Sequence, residues 1–256
     1  MALSFGSGTT NKVNVGSNSV LDNPAVGTLF AWAYPTSFVA NAGFYGKGAG
    51  LFSRNPTFTL SGTAGAISFI INRASTHLTI TSGSSFLSTN LWQCVTAVWN
   101  VNGVNGDQRL YVGNLTTAIA EVGSYANQAV GLGTPVDRSA DDAAIGNRDA
   151  TASNGFSGFL ALIAIWDRVL SLDELVSIQF RPRVTNGCVG FWCLGYNGTG
   201  TQPDWSGNAN NGTVTGATVA DHVPIPFRRS GPLYVPYTVA ALGNTWPGYQ
   251  SASGWY

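Results

Sequence analysis

The chain has 256 residues, with 12 basic and 12 acidic side chains that cancel. Charged residues are only 9% of the total, yet 44% hydrophobic and 12% aromatic content excludes a disordered chain and leaves the polar surface to Ser, Thr, Asn and Gly. No charge excess or Lys/Arg run favours a phosphate backbone, and no stretch has the roughly 20 apolar residues that span a bilayer, so neither nucleic acid nor membrane is expected as a partner.

The opening MALSFGSGTTNKVNVG has neither a basic n-region nor an apolar h-region, so the expectation is synthesis in the cytosol without a leader, or a leader that was removed and replaced. Strand-like runs then recur between Gly, Asn and Pro: KVNVG at 12–16, TLFAWAY at 28–34, GLFSR at 50–54, TFTL at 57–60, AISFII at 66–71 and HLTIT at 77–81. WQCVTAVW at 92–99, QRLYVG at 108–113, AAIG at 143–146, GFLALIAIW at 158–166, CVGFWCL at 188–194 and GTVTG at 212–216 complete the series. This pattern predicts an all-β sandwich or jelly roll of two antiparallel sheets. In TLFAWAY, Phe30, Trp32 and Tyr34 share one face and Leu29, Ala31 and Ala33 the other. FLALIAIW is apolar on both faces, which places it in the middle of a layered structure.

One helix start interrupts the strands. Ser171 and Glu174 have capping-box spacing, Leu170 and Leu175 sit at staple positions, and Leu172, Leu175, Val176 and Phe180 recur at helical spacing before Pro182. The spacing predicts a helix of about two turns laid over an open end or face of the sandwich. Cys94, Cys188 and Cys193 match no zinc spacing. A regular strand would turn Cys188 and Cys193 to opposite faces, so all three read as buried thiols. Residues 223–256 hold five prolines and seven aromatics, which excludes central strands and regular helix. The chain thus divides into a domain at 1–222 and an extended arm at 223–256.

LSFGSGTTNKVNVG, FAWAYPTS and WQCVTAVWNVNGVNGDQRLYVGN resemble the first strand, the W-x-x-P strand and the central hairpin of the LamG-like, concanavalin A-type lectin and glucanase family. AAIGNR with GFSGFLALIAIWDRVLSLDEL, and GFWCLGYNGTGTQPDWSGNANNGTVTGAT at 190–218, are similar to two further family segments; together the likeness spans about residues 3–220. It implies a concanavalin A-like jelly-roll sandwich with one short helix, and a fold that carries lectins, glycan-binding modules, glycosidases and structural domains.

Glycosidases of this fold carry paired carboxylates on one strand. Here the only glutamates are Glu121 and Glu174, His77 and His222 are isolated, and no nucleophile elbow occurs, so no catalytic residue and no enzyme activity are expected. Many relatives bind calcium, and Asp137, Asp141 and Asp142, with Asn147 and Asp149, crowd one loop; they are either hard-oxygen metal ligands or turn formers. Trp205, Asn208 and Asn210 form either a sugar-binding loop or a turn-rich hairpin with the tryptophan as a plug. Exposed, Phe227, Tyr234, Tyr237, Trp246, Tyr249, Trp255 and Tyr256 would be an apolar liability, so the arm either folds back or packs on neighbouring chains as a partner interface. The expected function is therefore a non-enzymatic structural or decorating subunit of a larger assembly, most plausibly a phage virion containing further copies of itself, with surface glycan adhesion. The alternative is a free carbohydrate-binding module. No cofactor beyond calcium is implied.

Overall fold

The computed structural model describes residues 1–225 apart from 7, 9, 23–24, 49–53, 63, 102–106 and 152–153. The segment 226–256, and with it Phe227, Tyr234, Tyr237, Trp246, Tyr249, Trp255 and Tyr256, lies outside the described residues. In chain order the strands are β1 (Ala2–Phe5), β2 (Lys12–Gly16), β3 (Val26–Pro35), β4 (Gly43–Gly48), β5 (Arg54–Ser61), β6 (Ala66–Ile71), β7 (Leu78–Ser82) and β8 (Gln93–Asn100). They continue with β9 (Arg109–Asn114), β10 (Ala120–Glu121), β11 (Tyr125–Ala129), β12 (Ala143–Ile145), β13 (Gly158–Trp166), β14 (Cys188–Cys193), β15 (Thr213–Thr215) and β16 (Thr218–Ala220). A single helix among the described residues, α1 (Leu172–Phe180), follows β13. Strands β4, β10, β11 and β16 escape sequence reading because GFYGKG, AE, YANQA and TVA lack a clear alternation of bulky apolar residues.

Two antiparallel sheets result. The first runs β10-β9-β8-β3-β13-β1-β16, with β14 sharing the β13 edge; the second runs β11-β7-β6-β5-β4-β12-β2-β15. Leu29, Ala31, Leu160, Ile163 and Ile165 of the first sheet meet Phe58, Leu60, Phe69 and Ile80 of the second, with Trp99 stacked on Phe69 at 4.6 Å between ring centroids. Phe30, Trp32, Ala161, Leu162, Ala164 and Trp166 face the other way, into a second apolar layer beneath α1. The double-sided apolar reading of β13 and the split faces of β3 therefore describe the molecule as folded.

The helix start is built as its spacing predicts. The Ser171 hydroxyl accepts from the Glu174 N–H at 3.3 Å, the Glu174 carboxylate accepts from the Ser171 N–H at 2.9 Å, and Arg168 grips that carboxylate with two nitrogens at 2.6 and 3.0 Å. These bonds hold the Glu174 carboxyl down at about 2. The buried stripe is Leu175, Ile178 and Gln179, whereas Leu172, in the first turn, is exposed. Gln179 locks the helix in place. Its side-chain oxygen accepts from Ile119 N at 2.6 Å, its amide donates to Asn114 O and Thr117 O at 2.6 and 2.8 Å, and its backbone carbonyl accepts from the Trp32 indole at 3.2 Å.

The cysteines are free thiols, two buried and Cys193 half-buried. Contrary to the expectation of opposite faces, Cys188 and Cys193 both pack on the layer under α1, because a register shift at Ile165/Trp166 inserts an extra β14 residue and reverses the alternation. Desolvation pushes the Cys188 thiol up to about 12, and it raises Cys94 as well, so neither is poised as a nucleophile. The described chain ends on this same face, where Val223 is fully buried and Ile225 half-covered.

Replacing Gln179 with Ala strands a buried N–H and two carbonyls, and is expected to cost about 3 kcal/mol, lowering Tm by roughly 10 °C in thermal unfolding.

Candidate functional site

The segment DWSGNANNG turns back on β14 and is organised by one carboxylate. Asp204 Oδ1 accepts from Phe191 N at 3.0 Å and Ser206 N at 2.9 Å, while Oδ2 accepts from Ser206 Oγ, Asn210 N and Asn210 Nδ2 at 2.9, 3.0 and 2.9 Å. A buried carboxylate in a charge-poor chain needs such compensation, and five protein donors supply it. Asn208 Nδ2 and Asn210 Nδ2 donate to Val189 O, at 3.2 and 3.0 Å, and Ser206 Oγ lies 3.1 Å from the same oxygen. The Trp192 indole, pointing into the main core, donates to Asn210 O at 2.7 Å. The structure thus brings Trp205, Asn208 and Asn210 into one loop but turns both asparagine amides inward. Trp205 is half-buried against the layer under α1, at right angles to the exposed Tyr196, 5.2 Å between centroids.

The aspartate-rich loop is dispersed in the same way. Asp137 accepts from Ser139 N at 2.8 Å, a turn bond that lowers its carboxyl pKa; Asp141 pairs with Arg138 at 3.5 Å; Asp142 accepts from Asn14 Nδ2 at 2.8 Å. Asn147 Oδ1 accepts from the Arg148 and Asn154 N–H groups, and Asp149 Oδ1 accepts from Thr151 N and Oγ1. Among the described residues no three His, Cys, Asp or Glu side chains gather as a metal centre requires. The loop at 147–149 lies directly on β4, where a Cβ on Gly46 would come within 1.8 Å of Arg148 O; glycine is required by this close approach.

The two glutamates stand apart in role as well. Glu121 accepts from Arg109 at 3.1 Å and from the Tyr125 hydroxyl at 2.9 Å, and Glu174 serves the helix cap. His77 accepts from Arg73 N at 3.2 Å, and burial holds His222, beside Val223 O, down at about 4.

One surface escaped sequence reading. On the outer face of the first sheet, beyond the rows that α1 covers, register places Ser4 beside Phe159 and Phe159 beside Tyr34, and Trp92 follows next to Tyr34 on the β8 side. The three rings form a compact cluster: Tyr34 and Phe159 stack at 5.1 Å, Trp92 meets Tyr34 edge-on at 5.5 Å, and Trp92 lies 6.4 Å from Phe159. All three are half-buried, and among the described residues neither the Tyr34 hydroxyl nor the Trp92 indole N–H bonds to protein. Hydroxyls continue the row, through Ser4 and the exposed Thr218 on one side, with Thr36, Ser37 and Ser157 at the strand ends. Only the face that Tyr34 shares with Phe30 and Trp32 was visible beforehand; Trp92 and Phe159 join it through strand pairing.

The profile of the concanavalin A-like lectin/glucanases superfamily matches residues 7–176, and the chain belongs to that superfamily. Among solved structures it is similar to a Bacteroides ovatus protein proposed to bind carbohydrate, at 16% identity and a TM-score of 0.57, covering 89% of this chain and 61% of that one. The chain therefore spans about three fifths of that protein's length. It is also similar to a heptameric SAP-like pentraxin of Limulus polyphemus (15% identity, TM-score 0.45, 70% and 81% covered) and to the CBM40 module of a Ruminococcus gnavus IT-sialidase (18%, 0.47, 70% and 95%). At these identities the likeness is one of fold. Among curated protein sequences nothing matches the chain.

Asp204→Ala is expected to destabilise the protein by at least about 3 kcal/mol in urea unfolding. Asn208→Ala should cost under about 1 kcal/mol, since Val189 O keeps the Asn210 amide as a donor.

Proposed function

We propose that the chain is a non-catalytic carbohydrate-binding module that contacts its ligand through the outer end of the first sheet. The observation carrying this reading is the cluster of Tyr34, Trp92 and Phe159. It leaves apolar ring surface and two ring-borne hydrogen-bonding groups at the surface, in a row continued by neutral hydroxyls. A sugar ring presents apolar C–H patches between hydroxyls, and part-exposed Trp and Tyr with adaptable Ser and Thr match that chemistry. The superfamily supports the reading at the level of fold, and the engagement of both glutamates in structural pairs supports a binding rather than a hydrolytic role. Trp205 with Tyr196 is a second aromatic corner on the same side of the molecule, with Asn208 and Asn210 as its scaffold.

A second reading is that of a structural or decorating subunit of a phage virion, made in the host cytoplasm, in which residues 223–256 engage neighbouring subunits. It is favoured by the density of aromatics and prolines in that segment, since aromatic enrichment with little charge suits an interface core.

On a panel of neutral and acidic oligosaccharides, the full chain is expected to bind at least one class, and Trp92→Ala to weaken that binding about 30-fold with little change in Tm. Binding by no glycan, or binding indifferent to Trp92→Ala, would overturn the reading. For the second, chymotrypsin digestion of the isolated chain followed by intact mass is expected to remove residues beyond about 225 and leave a resistant core. A fully resistant monomer counts against it.

A further inference from the structure

Strand β4 carries a lysine into the interior. Lys47 is fully buried, with its ammonium 2.9 Å from Asp22 Oδ1 and donating to Asp141 O at 2.6 Å. A buried ammonium is tolerated only when paired and hydrogen-bonded, so this position is chemically specified. Its partners come from remote parts of the chain: Asp22 closes the short 3-10 turn at 19–21, and Asp141 belongs to the loop leading into β12. The same loop is held at two further points, where Gly48 N donates to Asp142 O at 3.5 Å and Asn14 Nδ2 donates to the Asp142 carboxylate at 2.8 Å. The buried Tyr45 hydroxyl, two residues away on β4, has no hydrogen-bond partner among the described residues; burial and the Asp22 charge both push its pKa up.

Calcium, which the resemblance implies for this loop, does not fit these residues. It requires six to eight converging oxygens. Here the carboxylates of Asp137, Asp141 and Asp142 are each engaged by a different protein donor, and a cation that belongs to the chain already occupies the oxygens of Asp22 and Asp141. We propose that the Lys47 ammonium is the resident cation of this oxygen cage: it ties the 19–22 turn and the 137–142 loop to β4, and the loop is metal-independent because of it. Deleting the side chain beyond Cβ then creates a site for a small primary ammonium ion. A quaternary ammonium, which has no N–H to donate, is excluded.

The test is thermal unfolding of the full chain. Wild-type Tm is expected to be the same in millimolar calcium chloride and in EDTA. Lys47→Ala is expected to lower Tm by about 10 °C. n-Propylammonium chloride, which replaces the deleted atoms, should recover several degrees, and tetramethylammonium chloride at equal ionic strength none. A rise of wild-type Tm with calcium, or equal effects of the two ammonium salts, would overturn the proposal. If Lys47→Ala does not fold, a cycle of Lys47→Met, Asp22→Asn and the double variant decides. The double variant should be more stable than the sum of the single losses predicts, and strictly additive losses would overturn the proposal.

Discussion

The burial of β13 on both faces is the constraint on which the remaining architecture depends. A strand with Leu160, Ile163 and Ile165 on one side and Ala161, Leu162, Ala164 and Trp166 on the other is stable only if both sides are kept from water. The second sheet covers one side. Helix α1, the residues after it and the segment through Val223 cover the other. β13 is also shared between two short strands on a single edge, β1 against its first half and β14 against its second, so that the chain's beginning and its later segments meet on one spine. The bulge between Leu160 and Leu162 and the shift at Ile165/Trp166 are the adjustments that let one strand serve both neighbours.

A chain with so few charges must satisfy buried polar groups with neutral amides and a handful of ions. Gln179 anchors the helix to the turn after β9. Gln202 does the equivalent for the turn after β14, accepting from Gly195 N and donating to Gly198 O and Gly200 O. Full charges are used inside at few places: Lys47 meets Asp22 and Asp141, both distant in sequence, Asp204 is held by donors of its own loop and of β14, and Arg148 pairs with Asp149 at 3.7 Å. Such residues contribute specificity as much as stability, because an alternative packing would leave them unpaired. The consequence for function is that the polar residues most suggestive of a ligand site, Asn208, Asn210 and the loop aspartates, are largely occupied in holding the backbone.

What remains available for recognition is aromatic and neutral. Tyr34, Trp92 and Phe159 extend the layer under α1 past the edge of its cover, so the surface proposed for sugar binding is continuous with the interior and rigidly supported by three adjacent strands. Pre-organisation of this kind lowers the ordering cost of binding, which suits weak, repeated contacts with glycans better than a mobile loop would.

By itself the sequence determined the β-sandwich class, the family, the two-faced nature of β13, the shared face of Phe30, Trp32 and Tyr34, and the capped helix. These follow from local rules: the two-residue alternation of strands, the turn chemistry of Gly, Asn and Pro, and the spacing of Ser171 and Glu174. Tertiary structure alone decided that Cys188 and Cys193 share a face, that Lys47 meets Asp22 and Asp141, and that Trp92 and Phe159 gather around Tyr34. Each of these depends on register between strands or on contacts between segments far apart in the chain, and residue spacing within one segment carries no information about either.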